Sequence, residues 1–194
     1  MSSAPGQIPP AADALLAKAQ ALLSNAVSER DAAFRYPVLA TADDEGGANA
    51  RILILRDFDA ESWRVTLHTD RRSAKMSEIA AGNTASLVFY DHIAALQVRM
   101  KGTGETEKEK SALRNVWENL PDGTKPNYRS AKPPGALLES ADGNPVSLGQ
   151  TDGFENFAII RFIPESVDIL QLSPQGNSRY RFSPRTRLGT WLIP

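Results

Sequence analysis

From Tyr36 onward the chain is a succession of short β-favouring segments, and that succession limits the folds open to it. "YPVLATAD", "ARILILRDF", "SWRVTLHT", "TASLVFYD" and "AALQVRMKGTGETE" are rich in Val, Ile, Leu, Thr and aromatic residues, as strands are. The Gly-rich "DDEGGAN" after the first suits a hairpin connection. Three more strands are expected in "NFAIIRFIP", "SVDILQL" and "SRYRFSP…LGTWLIP". Strands follow strands instead of alternating with helices, which argues against a Rossmann sheet. The expected fold is mainly β with flanking helices, an antiparallel barrel-like core.

Three helices complete the expectation. Ala11 to Glu29 places Leu15, Leu16, Ala19, Leu22, Leu23 and Ala26 on one face. A second helix runs from about Ser73 to Ala81 and ends at Gly82-Asn83 in the manner of a C-cap. A third, Glu107 to Asn119, closes at Pro121 and turns Leu113, Val116, Trp117 and Leu120 inward. The Pro- and Gly-rich stretch 121–150 is long for a compact domain, as loops that line sites often are. The expected division is an N-terminal arm and helix, 1–30, packed on a barrel domain, 31–194.

Composition removes several classes of function. With 22 Lys and Arg against 23 Asp and Glu, the net charge is −1. No global field favours nucleic acid or an acidic membrane, so any basic site is local. The chain has no cysteine, which excludes disulfides, thiolate catalysis and Cys-ligated metal. No apolar run is long enough to span a bilayer and "MSSAPGQIPP" lacks the pattern of a signal peptide, so a cytoplasmic location is expected. Aromatic residues are few and no basic stripe interleaves with them, which disfavours single-strand nucleic-acid binding.

One helix start is electrostatically odd. In "LHTDRRSAK", Arg71, Arg72 and Lys75 crowd the positive end of a helix dipole, a placement that costs a few tenths to about 1 kcal/mol. An anion held there, with Thr69, Asp70 or Ser73 as caps and the Thr69 and Ser73 hydroxyls as donors, would reverse the sign. Other fragments carry basic or amide groups. In a regular strand Arg51 and Arg56 of "RILILR" face opposite ways. "LQVRMKG" puts Gln97 and Arg99 on one face, and "SRYRF" does the same with Arg179 and Arg181, which repel unless carboxylates or a ligand satisfy them. Of the two histidines, His92 is expected in a surface turn.

These motifs, in this order, resemble the pyridoxamine 5′-phosphate oxidase-like family, the FMN-binding split β-barrel proteins. "SVDILQLSPQGNSRYRFSP…GTWLIP" is similar to that family's C-terminal end, so the resemblance runs from about Tyr36 onward. It implies FMN as cofactor, Arg51 as a phosphate ligand, and Ile52, Leu53 and Ile54 as the strand beneath the flavin ring. It implies that His68 and Thr69 contact ring and ribityl chain, and that Ser73 and Lys75, with Arg72, reach the phosphate. Gln97 would meet the ring edge, Phe154 would stand where family oxidases have Trp, and Arg181 would approach the flavin. Arg56 and Arg179 would contact an anionic substrate. The family's homodimers carry FMN at the subunit interface.

The chain also departs from the family pattern. Ala74 stands where the oxidase has Arg, Arg56 where it has Lys, and Arg179 where it has His. The residues that grip the substrate phosphate have no clear counterparts, though Tyr128 and Arg129 lie nearby. The expectation is an FMN-dependent oxidoreductase of unassigned substrate, with no metal. The alternative is a non-enzymatic flavin or haem carrier.

Overall fold

The computed structural model describes residues 8–82, 84–138 and 152–194. Among these residues nine strands form one sheet: β1 (Val38–Ala42), β2 (Ala48–Ile52), β3 (Leu55–Asp59), β4 (Arg64–Asp70), β5 (Ala85–Asp91), β6 (Leu96–Thr106), β7 (Phe157–Gln171), β8 (Ser178–Phe182) and β9 (Gly189–Leu192). Their order is β2-β1-β5-β6-β7-β4-β3, with β8 also on β7 and β9 on β8. Every pairing is antiparallel, as the succession of strands implies.

Strand β7 is where the sheet divides. Its first part, from Phe157 to Phe162, pairs with β4, and its last part, from Val167 to Gln171, pairs with β8. The sequence suggests two strands here because Pro164 interrupts the run, yet the strand is continuous. Pro164 sits opposite Gly102 beside a register shift in the β6–β7 ladder, where a missing N–H is tolerated. A Cβ on Gly102 would lie 2.0 Å from the Ile163 carbonyl oxygen, so only glycine lets the strands close at that irregularity.

Two other expectations are corrected. "ARILILRDF" is not one strand: β2 ends at Ile52 and β3 begins at Leu55. The Leu53 amide donates to the Pro37 carbonyl, closing the β1–β2 ladder before the chain crosses to pair with β4. The final "SRYRFSP…LGTWLIP" is a hairpin of β8 and β9.

The helices are α1 (Pro10–Ser28), α2 (Ala74–Ala80) and α3 (Lys110–Glu118). Pro10 opens α1, where its missing N–H costs nothing. The helix buries Leu15, Leu16, Ala19, Leu23 and Ala26 as expected, together with Ala12. These join one apolar core with Phe34, Trp63, Phe89, Tyr180 and Phe182. A second cluster packs Leu113, Trp117 and Leu120 of α3 and its end against Tyr128, Phe154, Phe157 and Ile159. The helix α3 is shorter than expected because Glu109 caps it, accepting from the Ser111 amide. Gly82, at φ +75°, follows α2 as its C-cap pattern requires, while Asn83 lies outside the described residues, as do positions 139–150 of the long loop. No described helix is long and apolar enough to cross a membrane.

Candidate anion-binding site

Strand β4 delivers Thr69 and Asp70 to the start of α2, and the two ends of this turn have different occupants. Asp70 accepts from the Arg72 amide at 2.8 Å and from the Arg72 side chain at 3.0 and 2.7 Å. Arg72 also donates to the Ser130 carbonyl. Its charge is thus matched inside the chain, which holds it above its usual pKa, chiefly through the Asp70 hydrogen bond. Ser73 precedes α2 but does not cap it through its side chain, donating instead to the Asp70 carbonyl.

Lys75 behaves otherwise. Its ammonium donates to the hydroxyls of Thr69 at 3.1 Å and Ser73 at 2.9 Å, and no described carboxylate lies within ion-pair distance. It is half-buried. Burial, then the nearby Arg51 charge, push it below the ordinary lysine value. Asp70 and Glu78 act on it through space without touching it, and a partly desolvated cation whose hydrogen-bond partners are all neutral is a site that can take an anion. The feature that raised the question in the sequence, a helix dipole, contributes little. The helix α2 has only seven residues, so the side chains carry the site.

Beside it lies a buried carboxylate that the sequence reading missed. Glu78 accepts from Thr41 of β1, from Asn49 of β2 at 2.8 Å and from Arg51 of β2 at 3.1 Å, while Arg51 also donates to Thr41. Burial alone would raise Glu78, but these donors hold it below the usual carboxylate range. Its spacing of three from Lys75 along a helix was the available signal. Gly104 of β6 keeps α2 close: a Cβ there would meet the Ile79 Cγ2 at 2.8 Å.

A second polar region lies between β3, β4, β7 and α3. A cavity of about 470 Å³ is lined by Arg56, Thr66, His68, Asn115, Asn119 and Arg161, among others. The Arg56 Nε and His68 Nδ1 are buried there without a hydrogen-bond partner in the described structure. Burial, then Arg56, push His68 down to about 4, so the imidazole is neutral at physiological pH. Its ring meets Phe157 edge-on, with centroids 5.0 Å apart. Thus Arg56 and His68 are brought together, whereas Arg51 and Thr69 serve the Lys75 cradle.

The remaining candidates are dispersed. Ile52 is exposed at the end of β2, and Leu53 and Ile54 form the link to β3. Gln97 lies on the outer face of β6, opposite Tyr90 and Leu170. Arg99 and Arg179 both grip Asp168, and Arg181 lies opposite it across the β7–β8 ladder. The carboxylate that Arg179 of "SRYRF" requires is therefore supplied by β7. Phe154 is buried near Trp117, with Arg114 stacked 3.6 Å above its ring. It borders a cavity of about 500 Å³ that also takes in Arg71, Lys108 and Lys110. His92 is exposed in a turn, as expected.

Comparison with known proteins shows what this chain is similar to. The pyridoxamine 5′-phosphate oxidase, FMN-binding domain model matches residues 16–107. That span includes Arg51, His68, Thr69, Ser73, Lys75 and Gln97 and ends before Phe154, Arg179 and Arg181. The pyridoxine/pyridoxamine 5′-phosphate oxidase of Microcystis aeruginosa is 36% identical over 85 residues, 42% of this chain and 39% of that protein. The enzyme of the same name from Pseudomonas fluorescens is 29% identical over 140 residues, 69% of this chain and 64% of that protein. The chain thus matches less than two thirds of the length of either relative.

Among solved structures, a pyridoxamine 5′-phosphate oxidase-related, FMN-binding protein of Nostoc punctiforme has a TM-score of 0.67 at 22% identity. The match covers 97% of this chain and 99% of that one. PhzG from Burkholderia lata 383, solved in complex with tetrahydrophenazine-1-carboxylic acid, has a TM-score of 0.73 at 18% identity, covering 99% and 100%. The fold shared with these proteins is the antiparallel split barrel.

Proposed function

We propose that the chain, similar to the pyridoxamine 5′-phosphate oxidase-like FMN-binding split barrels, is an FMN-dependent oxidoreductase acting as a homodimer on a small molecule. The observation that carries this reading is Lys75, a half-buried ammonium whose hydrogen-bond partners are two hydroxyls. These donors fit a phosphate: Lys75 supplies charge, and Thr69 and Ser73 supply O–H groups that can turn toward it. Arg51 completes the cradle from β2, and Arg72, committed to Asp70, holds the turn in shape.

Bound FMN supplies hydride and electron exchange at its ring. The chain's residues bind and orient it. In this reading Ile52, Leu53 and Ile54 support the ring, His68 contacts it, and Gln97 and Arg181 place an amide and a cation near its polar edge. Phe154 stands beside it, some of these contacts crossing the subunit interface. Neutral His68 is poised to share hydrogen bonds with a ligand in the adjoining cavity without adding charge. Arg56 supplies the cation for an anionic substrate there, whereas Arg179 on β8 is committed to Asp168. The exchange of lysine for arginine at position 56 alters the geometry of anion recognition, so pyridoxamine phosphate is not the substrate we assign.

The test is the visible spectrum of the purified protein, followed by titration of apoprotein with FMN and with riboflavin. Wild type should bind FMN, and Lys75→Ala should weaken FMN at least about tenfold while leaving riboflavin nearly unchanged. Absence of flavin binding at micromolar concentration would overturn the reading. Tight FMN binding with no turnover of any reductant or acceptor would instead favour the carrier function.

A further inference from the structure

The cradle contains a carboxylate where a phosphate-binding site should have none. Glu78 is 5% exposed, and its two oxygens receive three side-chain donors from β1 and β2. One of those donors is the Arg51 guanidinium, whose other terminal nitrogen is bound to Thr41. Arg51 therefore has no need of a ligand. The neighbouring Lys75, three residues away on α2, is touched by hydroxyls and by no described carboxylate, though Asp70 and Glu78 act on it through space. Two cations sit side by side, one satisfied internally and one not.

We propose that Glu78 is a built-in counter-anion that competes with the FMN phosphate for Arg51 and so limits how tightly this chain holds its cofactor. The inference rests on the reading of the Lys75 cradle as the phosphate site. A phosphate entering beside Lys75 gains that ammonium and the Thr69 and Ser73 hydroxyls. It gains Arg51 only by drawing the guanidinium from Glu78 or by sharing it. In either arrangement two like charges lie in one partly dry cradle, where they repel more strongly than in water. Glu78 has a second effect in the same direction. Without ligand it spares Arg51 from being a half-buried cation with no counter-ion, and so it stabilises the apoprotein. The same carboxylate thus favours the empty state twice, by stabilising it and by repelling the phosphate. The residue sets specificity for the cofactor and touches no reacting atom.

Glu78→Gln separates charge from shape, because the amide still offers an oxygen to Thr41 and Arg51. The variant should bind FMN about tenfold more tightly than wild type and riboflavin, which lacks the phosphate, about equally. Its apoprotein should melt at a lower temperature, and FMN should raise that temperature by more than it does in wild type. A merely structural role would lower the melting temperature without changing the preference for FMN over riboflavin. Equal tightening for both flavins, or selective weakening of FMN, overturns the proposal.

A second pair guards against an unstable single variant. Arg51→Gln should lose FMN affinity, since it leaves Glu78 unpaired and facing the phosphate, and adding Glu78→Gln should restore it. If the double variant binds FMN no better than Arg51→Gln, the proposal is wrong. Failure of the cradle reading itself is distinguishable: wild type would then not bind FMN, or Lys75→Ala would bind it normally.

Discussion

Two groups of buried charge, built from similar residues, behave differently in this fold. At the Asp168 knot, Arg99 and Arg179 both contact one carboxylate, at 2.9 and 2.8 Å, and both guanidiniums reach water, with 48% and 27% of their side chains exposed. At the Lys75 cradle, Arg51 contacts Glu78 while Lys75 contacts only hydroxyls. Each group has two cations and one carboxylate. In the knot the carboxylate touches both, and in the cradle it touches one. A basic cluster is a ligand site when its geometry strands a cation, and a structural device when it does not.

Removing the carboxylate of the knot should give the largest loss of stability at neutral pH. Burial would raise Asp168, but hydrogen bonds from Arg179 and then Arg99 hold it below the usual range. Asp168→Ala leaves two guanidiniums facing one another. Because both reach solvent, the loss should be about 2 kcal/mol, below the 3–5 expected of a fully buried pair. Urea unfolding measures it. The ratio of FMN to riboflavin affinity should stay as in wild type, whereas Lys75→Ala collapses that ratio with little loss of stability. If Asp168→Ala collapses the ratio instead, the distinction between knot and cradle fails.

The His68 cavity tests the comparison through pH. Its imidazole titrates near 4 in the folded chain, below the value of about 6.5 in the unfolded one. The unfolded state therefore takes up the proton first, so stability rises with pH in this window. The contribution is complete above about 6.5 and is lost as pH falls from there toward 4, at most about 3 kcal/mol. In His68→Gln the acid slope of urea midpoints over that interval should flatten. An unchanged slope would mean that other groups govern it.

How much of this was legible in the sequence follows from the range of each signal. The strands from Val38 to Thr106 and the buried face of α1 were readable because β-branched composition and helical spacing are local. The continuity of β7 through Pro164 was not, since it depends on Gly102 lying opposite the proline. The opposition of Arg51 and Arg56 was inferred from a regular strand. The two arginines do separate, but because the chain breaks between β2 and β3 and carries them to different sheet neighbours. Lys75, Ser73 and Thr69 were found because they are close in sequence. Asp168 as partner of Arg99 and Arg179 depends on register across three strands, which no local pattern encodes. Glu78 was missed because attention to basic residues gave no reason to look for the acid among them.

The smallest predicted effect concerns Arg72, which sequence position alone assigns to the phosphate. Its guanidinium makes two hydrogen bonds to Asp70 and one to the Ser130 carbonyl. By the criterion that separates the two groups, it belongs with the knot: its carboxylate touches it, so it has no charge to offer. Arg72→Gln should cost about 1 kcal/mol, because Asp70 keeps the Arg72 backbone amide as a donor and the pair is only partly shielded. The ratio of FMN to riboflavin affinity should not change. A selective loss of FMN affinity would show that Arg72 leaves Asp70 for the phosphate, and that a cation satisfied in the empty site can still be recruited. Glu78 would then restrain Arg51 less than its contacts imply, because the turn before α2 would be supplying the cradle with a second movable charge.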